Sequence, residues 1–420
     1  MRARAFLISA VLSFAGGCGP SEPGGSGPVV LRYLSGPDIG GASAEIIKRF
    51  EAENPGIKVE MVEGPAATNI RENMYSTSFM GGEATYDLAY MDVVWVPKFA
   101  AQGWLRPLDD WFTPKMQTEF LPGDVLGSTY GGKIYRIPVQ SDGGMLYYRK
   151  DLIAQAGLKP PKDWPDLVRI AKKLQNPPAL WGYAFQGKQY EGLVCDYLEL
   201  MWGNGGRVVG EDGKILVDSP EAIEALRWLV DAVRKHGISP EGVLTFQEEE
   251  ARHLFQEGKA VFMRNWPYAW NLVNGEGSPV KGKVGIMPMV GAEGRGGAAT
   301  LGGWGWSISA YSKHPEEAWK FAQFATTVEM LKISYEKGGI IPARRSLFKD
   351  PEVLAKSPHF KELYDVLTDA RPRPVHPMYA RISDALQLHV SAALAGQETP
   401  EEAMKGAADE MRAFIERRRK

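Results

Sequence analysis

The side chains able to do chemistry in this chain gather in five short segments. Asp92 follows the run Tyr86 to Met91 and precedes Val93, Val94 and Trp95. Asp142 follows Ile137-Pro138-Val139-Gln140-Ser141 and precedes Gly143-Gly144-Met145-Leu146-Tyr147-Tyr148. Arg264-Asn265-Trp266-Pro267-Tyr268 joins a guanidinium, an amide and two aromatic rings. Gly302 and Gly303 precede Trp304, and glycine lets a backbone approach a partner closely. Arg373 stands between Pro372 and Pro374. Carboxylates and guanidinium groups make short, strong charge-assisted hydrogen bonds, while flat rings offer stacking faces. Such a set suits a neutral, polyhydroxylated ligand held in a cleft that excludes water. Each residue also has a plainer role open to it: an Asp after a strand caps a helix, a Trp fills a core, and Arg373 serves as a surface hinge residue.

The motifs of catalysis are incomplete. Gly127-x4-Gly132-Lys133 spells most of a phosphate-binding loop, but the next residue is Ile134, where Ser or Thr must hold magnesium. The segment reads instead as a hairpin from Tyr130 to Pro138 turned at Gly131-Gly132. No His-Glu-x-x-His occurs, the six histidines lack ligand spacing, and no Gly-x-Ser-x-Gly elbow is present. Neither a metal nor a cofactor is expected. Abundant carboxylates leave a paired glycosidase site open at this point.

The elements that must position these residues follow an α/β pattern. Val29 to Leu34 reads as a buried strand, followed by a helix with Ile46, Ile47 and Phe50 on one face, stopped at Asn54-Pro55-Gly56. A strand at Ile57 to Val62, a helix around Ile70 to Phe79 and a strand at Tyr86 to Met91 come next. Strand, helix, strand, helix, strand predicts a parallel sheet flanked by helices, and ligands of open α/β sheets sit at strand ends. Ser219-Pro220 opens a helix as N-cap and first residue. Another helix runs from Ser312 to Ala325, and Thr399-Pro400-Glu401-Glu402 is a capping box before the last one.

Composition allows a large core: of 420 residues, 44% are hydrophobic and 24% charged, the balance of an ordinary globular protein. Twelve tryptophans imply large cores or a stacked ligand. A formal net charge of −2 carries no electrostatic footprint of nucleic-acid binding. At the N-terminus, Arg2 and Arg4 precede a short apolar run from Ala5 to Ala15, below the about 20 residues that span a bilayer, which reads as a secretory signal peptide. It ends in Ala15-Gly16-Gly17-Cys18, which resembles a lipobox, so residues 1–17 are expected to be removed and Cys18 lipidated. A plain secreted protein cleaved nearby is the alternative. Residues 18–28 are rich in Gly, Pro and Ser and read as a flexible tether. The other cysteine, Cys195, lies in an apolar helical context and reads as a core residue.

Eight blocks carry a family resemblance: 86–95, 103–110, Gly144 to Leu152, 187–196, Arg264 to Trp270, 278–285, 298–304 and Arg373 to Tyr379. In this order they are similar to the extracellular solute-binding proteins of carbohydrate ABC importers, and within them to the trehalose/maltose-binding proteins. The resemblance implies two α/β lobes, a ligand cleft between them, and a hinge crossed near Gln140, Gly285 and Pro342. The lobes would be 29–140 with 286–341, and 141–285 with 342–420.

Carried onto this sequence, the resemblance implies that Asp92 and Asp142 accept from sugar hydroxyls and that Arg373 donates to sugar oxygens. Trp304 with Gly302 and Gly303 would line the first lobe, and Trp266 and Tyr268 would form the stacking wall of the second. Arg71, Glu191 and Tyr190 are further contacts, while the first loop departs from the family's pattern, lacking its glutamate and offering Asp38 as a substitute. The implied protein is an exported, non-catalytic, monomeric lipoprotein. It would capture an α-linked disaccharide, trehalose or maltose, for an ABC permease. Another glucoside or an oligosaccharide on the same fold, a glycoside hydrolase and a module without ligand are the alternatives.

Overall fold

The computed structural model describes residues 27–65, 68–210 and 214–419. Residues 1–17, Cys18 and the tether up to residue 26 lie outside them. The strands are β1 (Val29–Ser35), β2 (Ile57–Glu63), β3 (Leu88–Asp92), β4 (Thr129–Tyr130), β5 (Lys133–Ile134), β6 (Ile137–Gly143), β7 (Met145–Arg149), β8 (Trp181–Ala184), β9 (Ala260–Asn265), β10 (Val284–Pro288), β11 (Ala299–Ile308) and β12 (Ala370–Pro372).

The amino-terminal elements form where the periodicity places them, but β3 does not join β1 and β2 in one hydrogen-bonded parallel sheet. β1 and β2 pair in parallel, Val29 opposite Ile57, across a helix at Ala42–Glu53 that buries Ala42, Ile46 and Phe50. The helix at Thr68–Met80 then leads into β3. β3 pairs antiparallel with the far half of β11, and β12 pairs in parallel with its near half. β6 runs antiparallel along the other edge of β11. β4 and β5 form a small hairpin whose turn residues Gly131 and Gly132 take φ of 57° and 76°, the conformation glycine tolerates best. The segment that resembled a phosphate loop is therefore a hairpin turn.

A second sheet has the order β10-β7-β9-β8, with only β8 and β9 parallel. Over it pack the helices Glu191–Gly203, Pro220–Arg234, Tyr379–Ala395 and Pro400–Arg419. Their ends are set as the sequence predicts: Ser219 Oγ accepts from Ala222 N, and Thr399 and Glu402 exchange hydrogen bonds through a capping box.

The chain passes between the sheets at Gly143-Gly144. Pro342 lies opposite Gln140, with Ser141 N donating to Ile341 O at 3.0 Å, so two of the expected hinge segments are neighbours. Sheet membership leads us to propose a shift of the other lobe limits. Gly285 lies inside β10, within the second sheet. After Pro342 the helix Phe360–Thr368 packs against β6 and β11 and also against β10, and the chain returns to the first sheet as β12. Crossings at 289–298 and 373–378 fit these pairings, because strand hydrogen bonds bind a segment to one sheet along its whole length.

Candidate functional site

β3 ends at Asp92, whose backbone turns into a short 3₁₀ helix, Val93–Trp95. Asp92 Oδ1 accepts from Val94 N at 3.2 Å, the capping role open to any such Asp. The same oxygen also receives Arg373 Nη2 at 2.9 Å from 281 residues away. Arg373 Nη1 donates to Glu191 Oε1 at 2.6 Å. Arg373 thus joins the end of β3 in the first sheet to the first residue of the helix Glu191–Gly203 over the second. It is 4% exposed, so it is no surface hinge residue. Its Nε is buried and has no hydrogen-bond partner among the described residues. A buried donor without an acceptor is costly, and a ligand oxygen would satisfy it.

Glu191 is held from its other side by Tyr379 Oη and Ser383 Oγ on the helix Tyr379–Ala395. Its carboxylate is therefore occupied by protein donors, with Arg373 as its link to the cleft.

The middle of β11 forms the facing wall. Gly302 pairs with Asp142, Gly303 with Ser141, and Trp304 with both Gln140 and Asp92. Asp142 Oδ2 accepts from Gln140 Nε2 at 2.6 Å. Burial pushes the Asp142 carboxyl up to about 7, the Gln140 amide opposes the rise and nearby Asp92 adds to it. A Cβ on Gly302 would stand 3.3 Å from Cζ3 of Trp266, so glycine here lets the second lobe's indole reach the strand. Gly303 has φ of 128°, and a Cβ there would lie 2.5 Å from Gln140 O. Beneath it, fully buried Arg136 donates to Gly303 O at 3.0 Å. Fully buried Asp124 lies 3.8 Å from Arg136, and burial pushes its carboxyl up to about 7 against the pull of that arginine. Neither Arg136 nor Asp124 is distinguished by sequence from an ordinary charged residue.

Trp304 is stacked on Tyr90 at 5.6 Å between centroids and meets Trp95 edge-on at 5.3 Å. The Arg71 guanidinium lies 4.4 Å over its ring. Arg71 therefore joins the Trp304 wall, 7% exposed, and desolvation lowers its pKa while Asp92 opposes that shift. Trp266 is half-buried, with Nε1 3.4 Å from Glu248 Oε1. Tyr268, also half-buried, donates to Glu249 Oε1 at 2.6 Å. Tyr190 stands just before Glu191, with its ring against Gly192.

The arrangement brings together Asp92, Asp142, Glu191, Arg373, Arg71, Trp266, Gly302, Gly303 and Trp304. Asp38 stands apart. Its Oδ1 and Oδ2 accept from Ser43 N at 2.9 Å and Ala44 N at 3.0 Å, capping the helix Ala42–Glu53. Both of its oxygens are thereby engaged with backbone donors, so we do not carry Asp38 forward as a ligand contact. Chemically the site presents acceptors, a forked donor and aromatic faces. It resembles no nucleophile with an adjacent base.

The family model for bacterial extracellular solute-binding proteins matches residues 35–332. A probable ABC transporter-binding protein of Deinococcus radiodurans is 36% identical over 364 residues, 84% of this chain and 86% of that protein. A T. maritima protein solved with maltose, MalE3, is 41% identical, with a TM-score of 0.85 over 92% of this chain and all of that one. A solute-binding protein of Agrobacterium radiobacter in complex with ribitol is 26% identical, with a TM-score of 0.82 over 92% of this chain and 99% of that one.

Proposed function

The chain belongs to the family of bacterial extracellular solute-binding proteins, with the two-lobed fold of that group, and we propose that it captures an α-linked diglucoside, maltose or trehalose, for an ABC importer. It is a binding protein and not an enzyme, as its relatives are. The observation that carries the ligand reading is the bridge made by Arg373. One buried guanidinium faces Asp92 and Glu191 across the two lobes and keeps one donor for a ligand. Around it, Asp142, the backbone of Gly302 and Gly303, and the rings of Trp266 and Trp304 supply acceptors and apolar faces of the kind pyranose rings require. Tyr268 and Arg71 would border the same space. The ligand sits between the lobes, which close on it by hinge motion. The charge of Arg373 is matched by carboxylates, which favours a neutral solute. The T. maritima relative with bound maltose supports the same reading.

The assay is isothermal titration of the mature chain with maltose, trehalose, sucrose and glucose. Micromolar or tighter binding of one α-diglucoside, about −8 kcal/mol or better, is the expected result. Silence with every α-glucoside refutes the ligand assignment. A polyol is the second reading, favoured by the ribitol-bound relative, and a parallel titration with ribitol distinguishes the two. We also propose that Cys18 carries a lipid that holds a monomeric protein to the cell envelope. A Cys18→Ala chain should then appear in the soluble fraction, and retention in the membrane fraction would contradict the anchor.

A further inference from the structure

Directly behind the proposed stacking wall lies an ion pair that no ligand contact requires. Arg264 and Glu199 are 0% and 1% exposed. Arg264 Nε and Nη2 reach the two oxygens of Glu199 at 2.9 and 2.5 Å, and Nη1 donates to Gln186 Oε1 at 3.1 Å. Asp196 adds a second carboxylate at 3.8 Å. The plane of the guanidinium is fixed by this fork.

Two neighbours give the pair its meaning. The first is Trp266, whose ring centroid lies 4.0 Å from the Arg264 guanidinium carbon. A cation on an indole face is attracted by the ring quadrupole, so the arginine sets the position of the ring whose far edge approaches Gly302. The second is Thr300 on β11, two residues before Gly302. Its N–H donates to Glu199 Oε1 at 3.1 Å, its hydroxyl donates to Cys195 O, and its carbonyl accepts from Gly144 N at 3.3 Å. Gly144 is the residue at which the chain crosses between the sheets, and a Cβ there would overlap Glu199 and Arg264. One carboxylate thus holds both the arginine under Trp266 and the strand that Trp266 faces.

We infer that the Glu199–Arg264 pair is a positioning unit, which sets the Trp266 ring against Gly302 and so fixes the width of the sugar cleft at the hinge. It touches no ligand and acts through Trp266. The inference rests on the stacking role proposed for Trp266.

Its test is a double-mutant cycle on the mature chain, titrated with maltose. Arg264→Lys keeps the charge and loses the planar fork. A paired Glu199→Met and Arg264→Met variant, made with Asp196→Asn so that the neighbouring carboxylate does not lose its cation, removes both charges of the fork. Each is made in the parent and in the Trp266→Ala background. Either change should weaken maltose binding about tenfold in the parent, because a Trp266 ring no longer held in place must be ordered when the ligand binds. In the Trp266→Ala background it should have almost no effect. Equal weakening in both backgrounds, or none in the parent, overturns the inference. Failure of both variants to fold also overturns it, since the pair would then serve the fold alone. A ligand-free arm separates this inference from the ligand reading. The emission difference between the parent and Trp266→Phe should shift on Arg264→Lys. A parent that binds no glucoside refutes the ligand, while that spectral shift still decides the positioning role.

Discussion

Asp92→Asn isolates the charge of the site's central carboxylate while keeping its shape. The amide oxygen can still cap Val94 N, as Asp92 Oδ1 does at 3.2 Å. Arg373 keeps Glu191 as a partner at 2.6 Å, so no buried guanidinium is abandoned. Loss of the Arg373 contact occurs in free and bound protein alike and largely cancels in the affinity. What remains is the charge-assisted bond from ligand hydroxyls, worth about 2 kcal/mol, or roughly 30-fold in Kd. Stability should fall less, because Arg373 stays paired and the Asp92 side chain is 12% exposed. A loss of about 1 kcal/mol lowers Tm by about 1 °C in a chain of 420 residues that melts as one unit. Calorimetric titration with maltose and a thermal melt on the same preparation measure both. A Kd within twofold of the parent, with an unchanged melt, would show that Asp92 is only a cap and would refute the reasoning.

Other expectations follow from neighbouring groups. Asp124 has an ordinary carboxyl value of 3.8 when exposed and about 7 in the fold, so between pH 4 and 7 the folded protein holds a proton that the unfolded chain has released. Stability must then fall as pH rises through that window, by up to about 1.4 kcal/mol per pH unit. Asp124→Asn should flatten that slope in urea melts from pH 4.5 to 7.5, and an unchanged slope counts against it. Asp142, raised to about 7, accepts better when ionised, so maltose affinity should rise from pH 5.5 to 8, and Asp142→Asn should remove most of that dependence. Trp266→Ala should fold normally, since the ring is half-buried, yet lose about tenfold in affinity. An insoluble product would make Trp266 a core residue instead. Gly144→Ala should lose about 3 kcal/mol or more of stability from overlap with the buried ion pair. A parent-like melt would mean that the pair can move aside.

The amino-acid sequence by itself determined the features that depend on near neighbours. Caps at Ser219 and Thr399, the turn at Gly131-Gly132 and the alternation from β1 to β3 are governed by residues within three or four positions, so they could be read without a structure. The family resemblance also lay in the sequence, because its blocks survive in order along the chain. Arg264 was visible only as a member of an aromatic segment. Its role under Trp266 depends on Glu199, 65 residues away, and on a crossing glycine at 144. Asp38 and Asp92 look alike in sequence, each an acid at the end of a strand or loop. Tertiary packing alone brings Arg373 to Asp92 and leaves Asp38 with backbone amides. The sheet membership on which we propose the lobe limits has the same origin, since β10 and β12 are claimed by their sheets through hydrogen bonds to strands far away in sequence. Local preference fixes where elements begin and end, whereas the partner of a buried charge is fixed by which surfaces meet once those elements pack.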